Sequence, residues 1–164
     1  MYKHHIYSPS RMGWIKKRES GRGCLFCRIA KGGSGMKNEI LYRTKDVMVI
    51  MNIFPYNTGH LQVLPVRHAE GLDQLSESEI TSLFVMVGKC VKLLEKVLAP
   101  AGFNIGLNIG GDVSGASVKH LHVHVVPRFK GDLGFMETTA DTKVLPETLE
   151  QTYKKLKKEA GMLK

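Results

Sequence analysis

The chain has 164 residues, 43% hydrophobic and 24% charged, which suits one globular domain and excludes a disordered chain, a collagen-like chain or a coiled-coil rod. Its 24 Lys+Arg against 15 Asp+Glu leave a formal charge of +9, pointing to an anionic partner. The excess sits at the ends: residues 1–31 carry +7, residues 143–164 carry +3, and residues 32–142 carry −1.

Residues 1–37 are rich in Gly, Ser, Arg and Lys and read as a basic arm with little regular structure, organised locally around Cys24-x-x-Cys27. Residues 38–142 form the catalytic domain of this reading. Strand character appears over 39–43, 47–52 and 60–66, the last two joined by a turn with Pro55, Asn57 and Gly59. Ser76 and Glu79 make a capping box. Behind it Ile80, Leu83, Phe84, Val87, Val91, Leu94 and Leu98 recur at helical spacing until Pro100 and Gly102 stop the pattern. Two further strands, 103–109 and 120–126, flank a glycine-rich link over 110–116. After Pro146, residues 147–160 read as a shorter basic helix or arm within 143–164. One long helix crossing about five hairpin-connected antiparallel strands, with a second C-terminal helix, is α+β.

Three cysteines are too few for a disulfide scaffold, and Cys90 falls on the apolar helix face as inert core. No apolar run approaches a membrane span and the N-terminus has no signal-peptide core, so the expected location is the cytoplasm, with no membrane partner. Cys24-x-x-Cys27 alone admits metal binding, a redox pair or two buried thiols.

The densest chemical pattern is His120-Leu-His122-Val-His124-Val-Val. Alternation along a strand puts the three imidazoles on one face and Leu121, Val123 and Val125 on the other, against the long helix. The face admits a polar surface, an open metal site or a histidine nucleophile oriented through its second nitrogen. A single ion held by all three is disfavoured, because their spread along a strand is about 13 Å at 3.3 Å per residue.

These residues resemble the histidine triad (HIT) superfamily of nucleotide-binding hydrolases and transferases, over roughly residues 24–136. Asn52, eight residues before Gly59-His60, is similar to the family's ribose-binding position. Asn108, Gly115 and Ser117 fit the phosphate side, and His60 belongs to the same substrate-binding set. With Cys24-x-x-Cys27 and the segment Pro127-Arg128-Phe129 to Met136, the chain resembles the branch that cleaves diadenosine polyphosphates. That branch usually carries Trp at Phe129 and Asn at Gly134. The resemblance implies that His122 attacks the α-phosphorus and carries a covalent nucleotidyl group, while His124 binds the phosphate. Phe26, Ile50 and Ile53 are candidates for an apolar base slot. Zinc-bearing relatives, including galactose-1-phosphate uridylyltransferases, imply a structural Zn²⁺ on Cys24, Cys27, His68 and His120. The family also implies a homodimer and a nucleotide substrate. The alternatives are a nucleoside phosphoramidase, or a zinc-containing module that binds nucleotide or nucleic acid with little turnover. Little aromatic interleaving among the basic residues disfavours nucleic acid.

Overall fold

The computed structural model describes residues 23–32, 40–116, 118–132, 134–140 and 142–164. Most of the predicted basic arm, and Ser117 of the phosphate side, lie outside the described residues. Five strands make one antiparallel sheet: β1 (Ile40–Arg43), β2 (Val47–Met51), β3 (Leu61–Pro65), β4 (Gly102–Leu107) and β5 (Val123–Arg128), in the spatial order β1-β2-β3-β5-β4. Among the described residues four α-helices accompany it: α1 (Leu25–Ala30), α2 (Glu77–Leu98), α3 (Phe135–Ala140) and α4 (Leu149–Glu159).

β2 and β3 are buried at every position, because the sheet is covered on both faces. Val47, Val49, Met51, Leu61, Val63, Val123 and Val125 face α2, whose Leu83, Met86, Val87, Cys90, Leu93 and Leu94 fill the main core. Met48, Ile50 and Leu64 point the opposite way and pack under Leu25, Phe26 and Ile29 of α1. The expected capping box closes α2: Ser76 Oγ accepts from the Glu79 N–H, and Glu79 Oε2 accepts from the Ser76 N–H at 2.8 Å. Among the described residues no helix is long and apolar enough to cross a membrane.

Two features differ from the sequence-based expectation. A short helix, α1, forms around Cys24-x-x-Cys27 where little regular structure is expected, because its apolar side caps the second sheet face. The last strand begins at Val123 rather than residue 120. Leu121 N donates to Ala69 O at 2.6 Å and His120 N to Val118 O at 2.9 Å, drawing this stretch off the β3 ladder. The expected C-terminal helix forms as α4, and Leu156, Ala160 and Leu163 of this basic segment are part of the main core.

The β2–β3 turn is pinned by one buried side chain. Asn57 Nδ2 donates to Pro127 O at 3.0 Å and to Asp132 Oδ1 at 2.8 Å, while Asn57 O accepts from the His60 N–H at 3.1 Å. Asp132 is itself gripped by Arg128 and the Phe129 N–H, and these bonds with those of Asn57 and Lys143 hold its carboxyl far below the usual range against the opposing effect of burial. Gly59 completes the turn at φ +80°, and a Cβ there would meet Leu98 Cδ1 at 2.4 Å. Both conformation and space require glycine. Gly59→Ala is expected to destabilise the fold by about 1–3 kcal/mol, read as a lowered urea midpoint at unchanged slope.

Candidate active site

The turn and the end of β3 place His60 against β5. The Tyr56 N–H donates to His60 Nδ1 at 3.1 Å. A backbone amide can only donate, so His60 Nδ1 carries the lone pair and its proton sits on Nε2. His60 Nε2 lies 2.9 Å from His124 Nδ1 and donates to it, which leaves the His124 proton on Nε2. That nitrogen stands 3.5 Å from Asn108 Nδ2. With both protonated the two do not bond each other, and an acceptor between them, such as a phosphate oxygen, would accept from both. Burial, followed by the charges of His124 and His122, pushes His60 down to about 3. Burial and His122 likewise push His124 down to about 4. The pair is neutral at physiological pH, as the donor chain requires.

His122 is oriented by its own strand. Its Nδ1 donates to His120 O at 2.7 Å, fixing the proton there and leaving the Nε2 lone pair unprotonated. Burial lowers its pKa against the opposing effect of that hydrogen bond. The His122 and His124 rings meet edge-on, 4.7 Å between centroids. A lone pair therefore stands beside an N–H donor, the pairing needed to attack a phosphorus while holding its oxygen.

The expected metal ligands also converge. One donor atom from each of Cys24, Cys27, His68 and His120 lies within 4.8 Å of the others. Cys24 Sγ and Cys27 Sγ stand 3.4 and 3.7 Å from His120 Nδ1, and Cys27 Sγ stands 3.5 Å from His68 Nδ1. Each imidazole turns its other nitrogen outward: His120 Nε2 donates to Pro65 O at 3.0 Å, and His68 Nε2 faces Glu70 at 3.4 Å. Both Nδ1 lone pairs thus point inward. Arg67 fixes the loop carrying His68 by donating to Glu79 Oε1 and Oε2 at 2.6 and 2.8 Å and to Gln74 O.

The pocket at His122 and His124 is lined by Asn52, Phe54, Tyr56, Gln62, Asn108 and Gly115. Of the expected substrate residues, Asn52, Asn108, Gly115 and His124 line it directly, and His60 stands behind as the base of the donor chain. Asn52 Oδ1 accepts from the Phe54 N–H at 3.0 Å and its Nδ2 faces His60 Nδ1 at 3.2 Å, leaving one amide proton for a ligand. The base slot is different. Phe26 (4% exposed) and Ile50 (2% exposed) belong to the filled cluster under α1 and do not line this pocket. Phe26 instead packs edge-on against His120 and His122, at 5.6 and 5.3 Å between centroids. Gln62 and Tyr56 were not anticipated. The signal for Gln62 is a lone amide in the apolar run Leu61–Pro65, and its register partner is His124.

The fold and site define an α+β domain with a histidine-lined pocket and a neighbouring Cys₂His₂ cluster. The HIT domain family model matches residues 34–131, and the chain belongs to that family. It is 40% identical over 113 residues to an AP-4-A phosphorylase of Mycobacterium tuberculosis, covering 69% of this chain and 58% of that protein. It is also 40% identical over 95 residues to an asymmetrical bis(5'-nucleosyl)-tetraphosphatase of Schizosaccharomyces pombe, covering 58% and 52%. The chain thus spans little more than half the length of these two relatives. A zinc-bound histidine triad family protein from Mycobacterium smegmatis superposes with a TM-score of 0.70 at 26% identity, over 86% of this chain and 95% of that one.

The depressed His60 and His124 values make stability pH-dependent. Their native sites favour the neutral form, so their contribution is complete above the unfolded value of about 6.5 and is lost as pH falls towards about 4 and 3. The melting temperature is expected to drop steadily from pH 6.5 to 4.5. In His124→Gln the drop is shallower, a difference that separates this pair from the cluster histidines; equal slopes would overturn the assignment.

Proposed function

We propose that the chain is a nucleotidyl hydrolase or transferase that cleaves dinucleoside polyphosphates, such as diadenosine tetraphosphate, through a covalent nucleotidyl–His122 intermediate. One observation carries this reading: the bond from His122 Nδ1 to His120 O aims an unprotonated Nε2 into a pocket where His124 Nε2–H and Asn108 supply donors. His122 Nε2 attacks the α-phosphorus, the bridging oxygen leaves with the remaining phosphates, and water or inorganic phosphate displaces the histidine. His124 and the loop at Gly115 and Ser117 bind phosphate oxygens, and Asn52 takes the ribose. The AP-4-A phosphorylase and tetraphosphatase relatives support this substrate class. A cytoplasmic homodimer belongs to the same reading, supported by the partly exposed edge strand β4 with Ile105 at its centre.

Incubation with diadenosine tetraphosphate, with and without phosphate, tests it. ADP plus ATP formed only with phosphate identifies a phosphorylase, ATP plus AMP a hydrolase, and the absence of product overturns the reading. His122→Asn is expected to lower turnover at least about 10³-fold with nucleotide binding retained.

Zinc is the metal this reading assigns to Cys24, Cys27, His68 and His120. Tetrahedral zinc with bonds of about 2.3 Å to sulfur and 2.0–2.1 Å to nitrogen separates S and N ligands by about 3.6 Å. The observed 3.4–3.7 Å separations fit. Burial and the neighbouring Cys24 raise the Cys27 thiol, so paired thiolates here need a cation. The zinc would tie α1 to the loop before β5 as a structural crosslink. Cys24→Ser is expected to lower zinc content and the melting temperature; unchanged zinc and stability with lost activity would give the thiol a catalytic role instead.

A further inference from the structure

Tyr56 lines the pocket, and the proposed chemistry leaves its side chain unused. Its backbone serves His60, but its ring does not. That ring is 55% exposed and stacks on the His60 imidazole at 5.0 Å between centroids, with 28° between planes. One aromatic face therefore rests on the donor chain and the other fronts solvent. The rings cluster beside the nucleophile: His122 lies 4.7 Å from His124, His124 lies 5.1 Å from His60, and Tyr56 reaches both His60 and, at 6.0 Å, His124. The inner walls are closed, with His60, His122 and Gln62 all buried. Phe54 is half-buried; among the described lining residues Tyr56 and Gly115 are the exposed ones, and of these two Tyr56 carries a side chain. Whatever extends beyond the reacting phosphorus leaves the pocket between them.

The geometry points to Tyr56 as the stacking platform for the second nucleoside of a dinucleoside polyphosphate, the one carried off with the leaving group. This rests on the substrate class proposed above. Every base presents a π-face, so such a platform selects for the presence of a second base and not for its identity. Among the described residues the pocket lining is uncharged, and this ring is its exposed aromatic surface.

The test separates binding from turnover. In the full chain carrying His122→Asn, diadenosine tetraphosphate is expected to bind about tenfold more tightly than adenosine 5'-tetraphosphate, which lacks the second nucleoside. Adding Tyr56→Leu removes most of that ratio and Tyr56→Phe preserves it; replacing one adenine by guanine changes it little. Thermal melts establish that the variants fold, and Tyr56→Met replaces Tyr56→Leu if the latter melts early. An unchanged ratio in the Leu variant, or equal weakening of both ligands, overturns the proposal, the second because the ring then only braces His60. Turnover of diadenosine tetraphosphate by the unaltered chain is scored separately. A Tyr56-dependent ratio without turnover upholds the platform while overturning the reaction; turnover with a Tyr56-independent ratio does the reverse.

Discussion

His120 belongs to two structures at once, and the site depends on that double membership. Its ring presents Nδ1 to the cysteines, and its carbonyl accepts the His122 Nδ1 proton at 2.7 Å. The Cys₂His₂ cluster and the candidate nucleophile are therefore coupled through a single residue's covalent geometry. Any displacement of the His120 backbone alters the bond that keeps the His122 proton on Nδ1. Phe26 reinforces the coupling: it sits between Cys24 and Cys27 in sequence and packs its ring edge-on to both histidines. A six-residue helix is too short to be stable alone. α1 persists because its apolar side covers Met48, Ile50 and Leu64.

The sheet explains why the other side of the pocket is equally fixed. β3 and β5 meet over only three register pairs, with Gln62 opposite His124. The His60–His124 contact lies just past that short ladder, where fraying would otherwise separate the rings. Asn57 prevents it by binding Pro127 O and Asp132, so the β2–β3 turn and the end of β5 move as one piece. A buried amide satisfied on both sides is a rigid link, whereas one left unsatisfied costs about 1–3 kcal/mol. The donor chain from the Tyr56 N–H to His124 Nε2 thus has a fixed starting point and a fixed end.

What the sequence reveals divides along the range of the interactions. The capping box of Ser76 and Glu79, the helical stripe from Ile80 to Leu98 and the alternation around His122 are local patterns. The box reappears, the stripe reappears except for exposed Phe84, and Leu121, Val123 and Val125 face the core although the strand itself starts at Val123. The HIT resemblance supplied His68, 41 residues from Cys27, which spacing alone does not reveal. The features that escaped are long-range or carried by the backbone. Asn57 and Asp132 are 75 residues apart, and nothing in either neighbourhood marks the pair. Tyr56 contributes a main-chain N–H, which every non-proline residue possesses. The late start of β5 follows from the bond between Leu121 N and Ala69 O, again invisible to strand periodicity. Gln62 is the exception, since an amide inside a fully buried apolar strand needs a partner or a ligand.

The charge distribution completes the physical logic of the pocket. The chain carries a formal +9, yet among the described residues no cation lines the pocket around His122 and His124. A fixed ammonium would attract a phosphate in the ground state nearly as strongly as in the transition state, binding substrate without accelerating its reaction. Directional N–H donors discriminate, because their strength depends on where the oxygens lie as the phosphorus changes geometry. Neutral imidazoles supply such donors only if burial keeps them unprotonated, and the pKa values of His60 and His124 are depressed chiefly by burial. Burial of the histidine row and exclusion of charge from it are thus one design requirement, met by covering both faces of the same sheet.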